Sequence, residues 1–224
     1  MHRIPEPELM LDDEQAHAYA QADFNDPNSL FMQRFASEFP QEQIAGYVLD
    51  LGCGAGDISR RFAQHYPQCT IHGVDGSRAM LKYGREMLAQ YEALRQRIEF
   101  IEGYLPNATL PMAQYDVIIS NSLLHHLAQP SVLWETIKLR AKPNSLIFIM
   151  DFMRPESFRQ AEIMVQEYVG SEPSVLRRDF YNSLLAAYRI DEVVEQLKGF
   201  NLGYLKVHEV TDHHFVVMGK YLET

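Results

Sequence analysis

The chain has 224 residues, 46% of them hydrophobic, and carries a formal net charge of −10. That length buries one substantial core and demands no second domain, while so acidic a surface repels phosphate backbones and anionic lipid, which disfavours nucleic acid and membrane and favours a small-molecule partner. Cys53 and Cys69 lack paired metal-ligand spacing, no apolar run reaches membrane-span length, and MHRIPEPELM lacks the layout of an export signal, so the expected compartment is the cytoplasm.

Residues 1–40 hold much of the acidity: nine acids against Arg3 and Arg34 occupy the first 45 positions. This segment is expected to form a helical lid or cap, with Tyr19 and Phe24 of AYAQADF closing over a ligand, or else a helix lying on a sheet. The core is expected at 47–152. A short apolar run at 47–51 enters GCGAG, and Ile58, Phe62 and Tyr66 then recur four apart on one helical face. A strand follows at 70–74. Ser77 is placed to cap a long helix through Met80, Tyr83, Met87, Tyr91 and Leu94. Strands at 98–101, 115–120 and 146–152 complete the alternation, with a helix around Leu133 and Ile137 that stops before Pro143.

Apolar strands separated by helices predict a parallel sheet covered on both faces. From 153 to 200 the pattern becomes a helical insertion near the substrate site: one helix through Ala161, Met164, Val165 and Tyr168 closing at Gly170, another through Phe180, Leu184 and Tyr188, and a third capped by Asp191. Residues 203–221 read as a hairpin turning at Thr211 and Asp212. The expected fold is α/β, a Rossmann-like, doubly wound, mostly parallel seven-stranded sheet with an antiparallel C-terminal hairpin, in a single domain over 1–224. The oligomeric state is left open.

The motif VLDLGCGAGD puts Gly52, Gly54 and Gly56 where the first strand turns into its helix, so a ligand can approach the main chain without a Cβ in the way. Asp75 ends the second strand in IHGVDGS, where an acid is suited to accept hydrogen bonds from both hydroxyls of a ribose. Dinucleotide sites usually space their glycines G-x-G-x-x-G because the last one admits a pyrophosphate. Here the spacing is G-x-G-x-G, the helix opens with Asp57, which would repel a pyrophosphate at that N-terminus, and Asp50 can hold an ammonium group. Adenosine joined to an amino acid fits these charges better than NAD.

VLDLGCGAGD, HGVDGSRAML and YDVIISNSLLHHL, over 47–151, resemble the class I S-adenosylmethionine-dependent methyltransferases, and within them the UbiE-like and methyltransferase-11-like enzymes of an uncharacterised bacterial group. The resemblance implies that the chain binds S-adenosyl-L-methionine, with S-adenosyl-L-homocysteine as product. It further implies that Gly52 and Gly54 line the methionine part, Asp50 helps to position it, Asp75 binds the ribose with Gly76 and Ser77 beside it, and Asn121 lies next to the donor. Where the family commonly has an acid for the adenine amino group, this chain reads Gly103 and Tyr104, so contact with Tyr104 and a main-chain hydrogen bond are expected instead.

The acceptor side has weaker signals. His125 is the candidate catalytic group, since an imidazole suits proton transfer near neutrality, and His125 and Arg154 are the candidate substrate-binding residues. His125 and His126 are adjacent, so at most one is expected to face the site. His213 and His214 should face opposite sides of a strand, and no metal is expected there or elsewhere. Two rival readings are an S-adenosylmethionine-binding sensor or scaffold without turnover, and an NAD-dependent oxidoreductase, which should show the longer glycine spacing and a catalytic Tyr and Lys pair.

Overall fold

A computed structural model describes residues 1–6, 19, 22 and 24–223; the rest of the leading segment, with most of AYAQADF, lies outside them. In chain order the elements are α1 (Asn25–Glu38), β1 (Gly46–Leu51), α2 (Asp57–His65), β2 (Cys69–Asp75), α3 (Arg78–Leu88), α4 (Glu92–Arg95), β3 (Ile98–Glu102), β4 (Tyr115–Asn121), a 3-10 turn (Leu124–His126), α5 (Ser131–Arg140), β5 (Ala141–Phe152), α6 (Phe158–Val169), α7 (Ser174–Ala186), α8 (Ile190–Gly199), β6 (Lys206–Thr211) and β7 (His214–Lys220). The strands form a seven-stranded sheet in the order β3-β2-β1-β4-β5-β7-β6. β1 to β5 run parallel, while β7 pairs antiparallel with both β5 and β6. This is the expected doubly wound sheet with its closing hairpin. Strand order reverses between β1 and β4, and in open α/β sheets the crevice beyond the strand ends at that point receives ligands.

Two apolar layers sandwich the sheet. One joins Phe31, Phe35, Phe62, Phe100 and Phe148, and the other joins Trp134, Ile137, Tyr115, Leu197 and Phe215. The acidity of the leading segment therefore hides a core helix: α1 buries Phe31 and Phe35 completely. The Phe35 ring packs against Phe62, Phe39 and Phe148 at centroid distances of 4.9, 5.0 and 5.5 Å. Residues 25–38 are thus part of the sheet's covering, with Asn25–Asn28 at their start also lining the cleft described below.

Five boundaries differ from the periodicity; Tyr188, expected on the second insertion helix, lies beyond the end of α7 and bridges to Met153. The helix expected from Met80 to Leu94 ends at Leu88; Tyr91 turns outward beneath the Arg60 guanidinium, and Leu94 re-enters the core from the separate turn α4. Apolar residues at 87, 91 and 94 continue the helical spacing, but Tyr91 is exposed, so apolar identity alone does not mark an inward position. β5 begins at Ala141, since the register jumps from the Tyr115–Ala141 pair to Val117–Leu146, and Pro143 sits within the excluded residues where no ladder hydrogen bond is required. Asp191 lies in the first turn of α8; the cap position is Arg189, whose backbone N–H donates to Glu192 Oε2 at 2.9 Å. The hairpin turns at Asp212 and His213, with Thr211 still in β6.

The Phe100 ring on β3 reaches the glycine loop. A Cβ on Gly56, which has φ of +78°, would lie 2.1 Å from that ring, and Cβ atoms on Gly73 and Gly84 would come within 3.0 and 3.2 Å of it. One aromatic residue thus fills space left by glycines on the loop, on β2 and on α3.

Because Phe35 is fully buried among four aromatic rings, Phe35→Ala should cost about 3–5 kcal/mol of stability, read as a drop in the denaturant midpoint. A loss below about 1 kcal/mol would mean that α1 does not seal the core.

Candidate functional site

A cleft of about 1000 Å³ opens over the carboxyl ends of β1, β2 and β4 and continues beneath the α6–α7 pair. That is the upper end of the range typical for ligand pockets, with room for two small molecules side by side. Tyr19, Asp50, Gly52, Gly54, Asp75, Gly76, Ser77, Tyr104, Asn121 and His125 all line it. Arg154 does not. Its guanidinium is buried, pairs with Glu192 Oε1 at 2.5 Å and donates to the Ala187 carbonyl at 3.3 Å, tying β5 to α8. The expectation of a substrate-binding Arg154 gives way to this structural ion pair.

At one end of the cleft the chain bends through three left-handed glycines, Gly52, Gly54 and Gly56 (φ +70°, +54° and +78°). Gly54 N–H donates to Asp75 Oδ2 at 2.8 Å and Ser77 N–H to Asp75 Oδ1 at 2.7 Å, so one carboxylate fastens the glycine loop to the start of α3. Ser77 then caps that helix, accepting from Met80 N–H. Burial raises the Asp75 pKa above the ordinary carboxyl range, against the lowering effect of its hydrogen bonds from Ser77 and Gly54. Asp50, fully buried, accepts from Ser59 Oγ at 2.6 Å, and burial pushes its pKa to about 7. Tyr104 is 60% exposed and leans over Gly76, where a Cβ would stand 2.8 Å from its ring.

Asp57 behaves differently from the sequence expectation. Arg60 and Arg61 both bind its carboxylate, with Asn28 Nδ2 donating at 2.7 Å, and these guanidiniums hold its pKa below the usual value despite burial. Its charge at the helix start is therefore compensated. The polarity of the cleft survives that correction: among the described lining residues Arg61 is the one arginine or lysine, itself bound to Asp57, whereas Asp26, Asp50, Asp75, Glu86 and Glu172 also line it.

Histidines and aromatics build the other end. Both His125 and His126 line the cleft, their rings 4.0 Å apart, because the tight turn at Leu124–His126 places successive side chains on one side. His213 and His214 are likewise together, with rings 4.2 Å apart; His213 belongs to the turn and so escapes strand alternation. Phe152 stacks on His214 at 4.9 Å. Asp151, at the end of β5, accepts from Leu124 N–H through Oδ2 at 2.7 Å and holds His125 Nδ1 through Oδ1 at 2.6 Å. With the Nδ1 proton committed there, His125 keeps its lone pair on Nε2, a buried atom without a hydrogen-bond partner. Burial, then the neighbouring His126, hold the His125 pKa below its ordinary value, with Asp151 opposing. Burial and His213 hold His214 neutral, down to about 3.

Residues 1–6 are tied onto this end. Arg3 donates to the carbonyls of Ala186, His125 and Leu127 and lies over the Tyr188 ring at 4.2 Å, and Glu6 accepts from Ser183 Oγ at 2.7 Å. Sequence reading missed Glu6 and Asp151. Asp151 carried a signal, an acid ending an otherwise apolar strand as Asp75 does, whereas Glu6 was one acid among nine.

Residues 49–147 match a family model described as a methyltransferase domain. The malonyl-[acyl-carrier protein] O-methyltransferase of Halalkalibacterium halodurans is 31% identical over 50% of this chain and 40% of its own length, and the trans-aconitate 2-methyltransferase of an Azoarcus species is 29% identical over 47% and 38%. The aligned part thus spans about two fifths of these curated relatives. Among solved structures, a putative S-adenosyl-L-methionine-dependent methyltransferase from Methanococcus maripaludis superposes with a TM-score of 0.70 over 99% of this chain and 98% of its own at 16% identity. One from Aquifex aeolicus gives 0.65 over 93% and 98% at 20% identity.

The raised Asp50 pKa has a measurable sign. A carboxyl whose folded value lies near 7, against 3.8 ordinarily, contributes stability that is complete below the lower value and is lost as pH rises through the upper one. Asp50→Asn should therefore gain on the parent, in denaturant midpoint, across that window. A stability difference constant with pH would mean that Asp50 is ionised throughout.

Proposed function

We propose, from the match of residues 49–147 to a methyltransferase-domain model, that this chain transfers a methyl group from S-adenosyl-L-methionine to a small-molecule acceptor. The observation that carries this reading is the charge of the cleft. Its glycine loop is flanked by Asp50 and Asp75, and the one arginine among its described lining residues is already paired. Among those residues a pyrophosphate would find no free guanidinium or ammonium, whereas a sulfonium and an ammonium find carboxylates. This is also the argument against a nicotinamide cofactor.

In this reading Asp75, held in place by Gly54 and Ser77, binds the ribose hydroxyls with Gly76 and Ser77 beside it. Gly52 and Gly54 let the methionine part lie against the main chain, and Asp50 receives its ammonium. Tyr104 covers the adenine, and Asn121 and Tyr19 close the walls. The acceptor occupies the histidine and aromatic end. There the neutral His125 imidazole, oriented by Asp151, is the catalytic residue, placed at the acceptor's reacting group. Methyl transfer is an in-line displacement in which the acceptor lone pair forms the new bond to carbon while the carbon–sulfur electrons return to sulfur, and alignment alone supplies on the order of 7–11 kcal/mol. A sensor without turnover would not need an oriented imidazole in a second compartment. Among the described residues no helix is long and apolar enough to cross a membrane, and a cytoplasmic setting is part of the proposal.

Calorimetry tests the donor site. S-adenosyl-L-methionine should bind, and because its ammonium favours the ionised form of Asp50, binding just below pH 7 should release a proton, seen as a heat that varies with buffer ionisation enthalpy. Micromolar binding of NAD with none of S-adenosyl-L-methionine would overturn the reading. Asp75→Ala, which loses charge-assisted hydrogen bonds worth about 1.5–3 kcal/mol each, should weaken the donor at least tenfold. His125→Ala should leave donor affinity within a few-fold and lower the methylation rate; a normal rate would leave that imidazole a packing role.

A further inference from the structure

We propose that Glu6, His125 and His126 form a site for a divalent transition metal, of the zinc class, at the acceptor end of the cleft. The three residues each present one ligand atom, all within 4.8 Å of one another. One of those atoms has no partner among the described residues: His125 is 1% exposed, and with Nδ1 given to Asp151 its Nε2 is a buried lone pair. His126 Nδ1 and Glu6 Oε2 already stand together beside it, 2.5 Å apart. A lone pair sealed from water costs free energy unless something coordinates it.

The surroundings match those of a metal centre. Imidazole and carboxylate donors suit zinc and its neighbours. A metal-bound histidine usually donates its other ring N–H to a carboxylate, as His125 does to Asp151. Ligating carboxylates are themselves hydrogen-bonded, as Glu6 is by Ser183 Oγ at 2.7 Å. Three protein ligands leave one position open, the arrangement of catalytic rather than structural zinc, and that position faces the cleft because both histidines line it. The proposal rests on the methyl-transfer reading for what the open position receives: an acceptor hydroxyl whose acidity the metal raises, so that its proton leaves to solvent and the oxygen lone pair takes the methyl carbon as the carbon–sulfur pair returns to sulfur.

The untagged full chain, stripped with a chelator, reloaded with zinc ion and desalted, should retain about one zinc per chain by elemental analysis, and cobalt(II) in its place should give the visible bands of a low-coordinate nitrogen and oxygen site. Glu6→Gln and His126→Asn should each weaken zinc binding at least tenfold with unchanged thermal midpoints, and Asp151→Asn about 10–100-fold. Zinc retained equally by Glu6→Gln and His126→Asn, or less than roughly a tenth of an equivalent on the parent, overturns the site. A stripped chain that methylates at full rate overturns it too and leaves methyl transfer standing. A chain that holds zinc through these residues but binds no S-adenosyl-L-methionine upholds the site while the methyl-transfer reading fails.

Discussion

The Asp75 carboxylate is the constraint on which the cleft depends. It is one group at the end of β2, yet its two oxygens accept from Gly54 and Ser77, which belong to two successive strand-to-helix turns. Those turns are the rim of the crevice. Left to themselves, a loop with three left-handed glycines would sample many conformations at a cost in entropy. Tied to a half-buried carboxylate, it becomes a preformed surface whose order need not be supplied by the ligand. Asp151 repeats the device at the end of β5, where its two oxygens fix the backbone of Leu124 and the ring of His125.

The sheet was legible because its signals are local and periodic. Apolar runs at 47–51 and 115–120 are short enough for buried strands, and the glycine loop followed by Asp75 marks the strand ends at which the cleft opens. Helix ends were less legible where apolar residues follow a break at helical spacing without facing the core, as Tyr91 does between Leu88 and Leu94. Composition misled for α1: its segment is acidic on average, but Phe31 and Phe35 lie on one face, and burial depends on that face rather than on the mean.

The histidine end of the cleft was hardest to read because it is assembled from distant pieces. His125 and His126 come from a turn after β4, Asp151 from β5, His213 and His214 from the closing hairpin, and Glu6 from the leading residues. No spacing rule connects them. The rule that neighbours point apart failed twice, both times because the residues sit in turns whose backbone does not obey strand or α-helix geometry. Arg154 failed for a different reason: a turn after a strand can lie beneath a helix, and α8 covers this one, so the arginine closes the fold through Glu192.

The Phe100 ring also has a historical consequence. It fills the space into which a side chain on Gly56 would project, and it shares that role with the Cys53 side chain at Gly73 and with the Ala55 carbonyl at Gly84. A lineage that shrank Phe100 to an aliphatic residue would still leave Gly73 against Cys53 and Gly84 against the Ala55 backbone, while Gly56 would stay fixed by its left-handed backbone. Among descendants of a common ancestor, a larger residue at 73 should therefore need change at both 53 and 100, and drift at 100 alone should leave all three glycines in place, a pattern rooted in packing volume and independent of whatever molecule the cleft has been selected to hold.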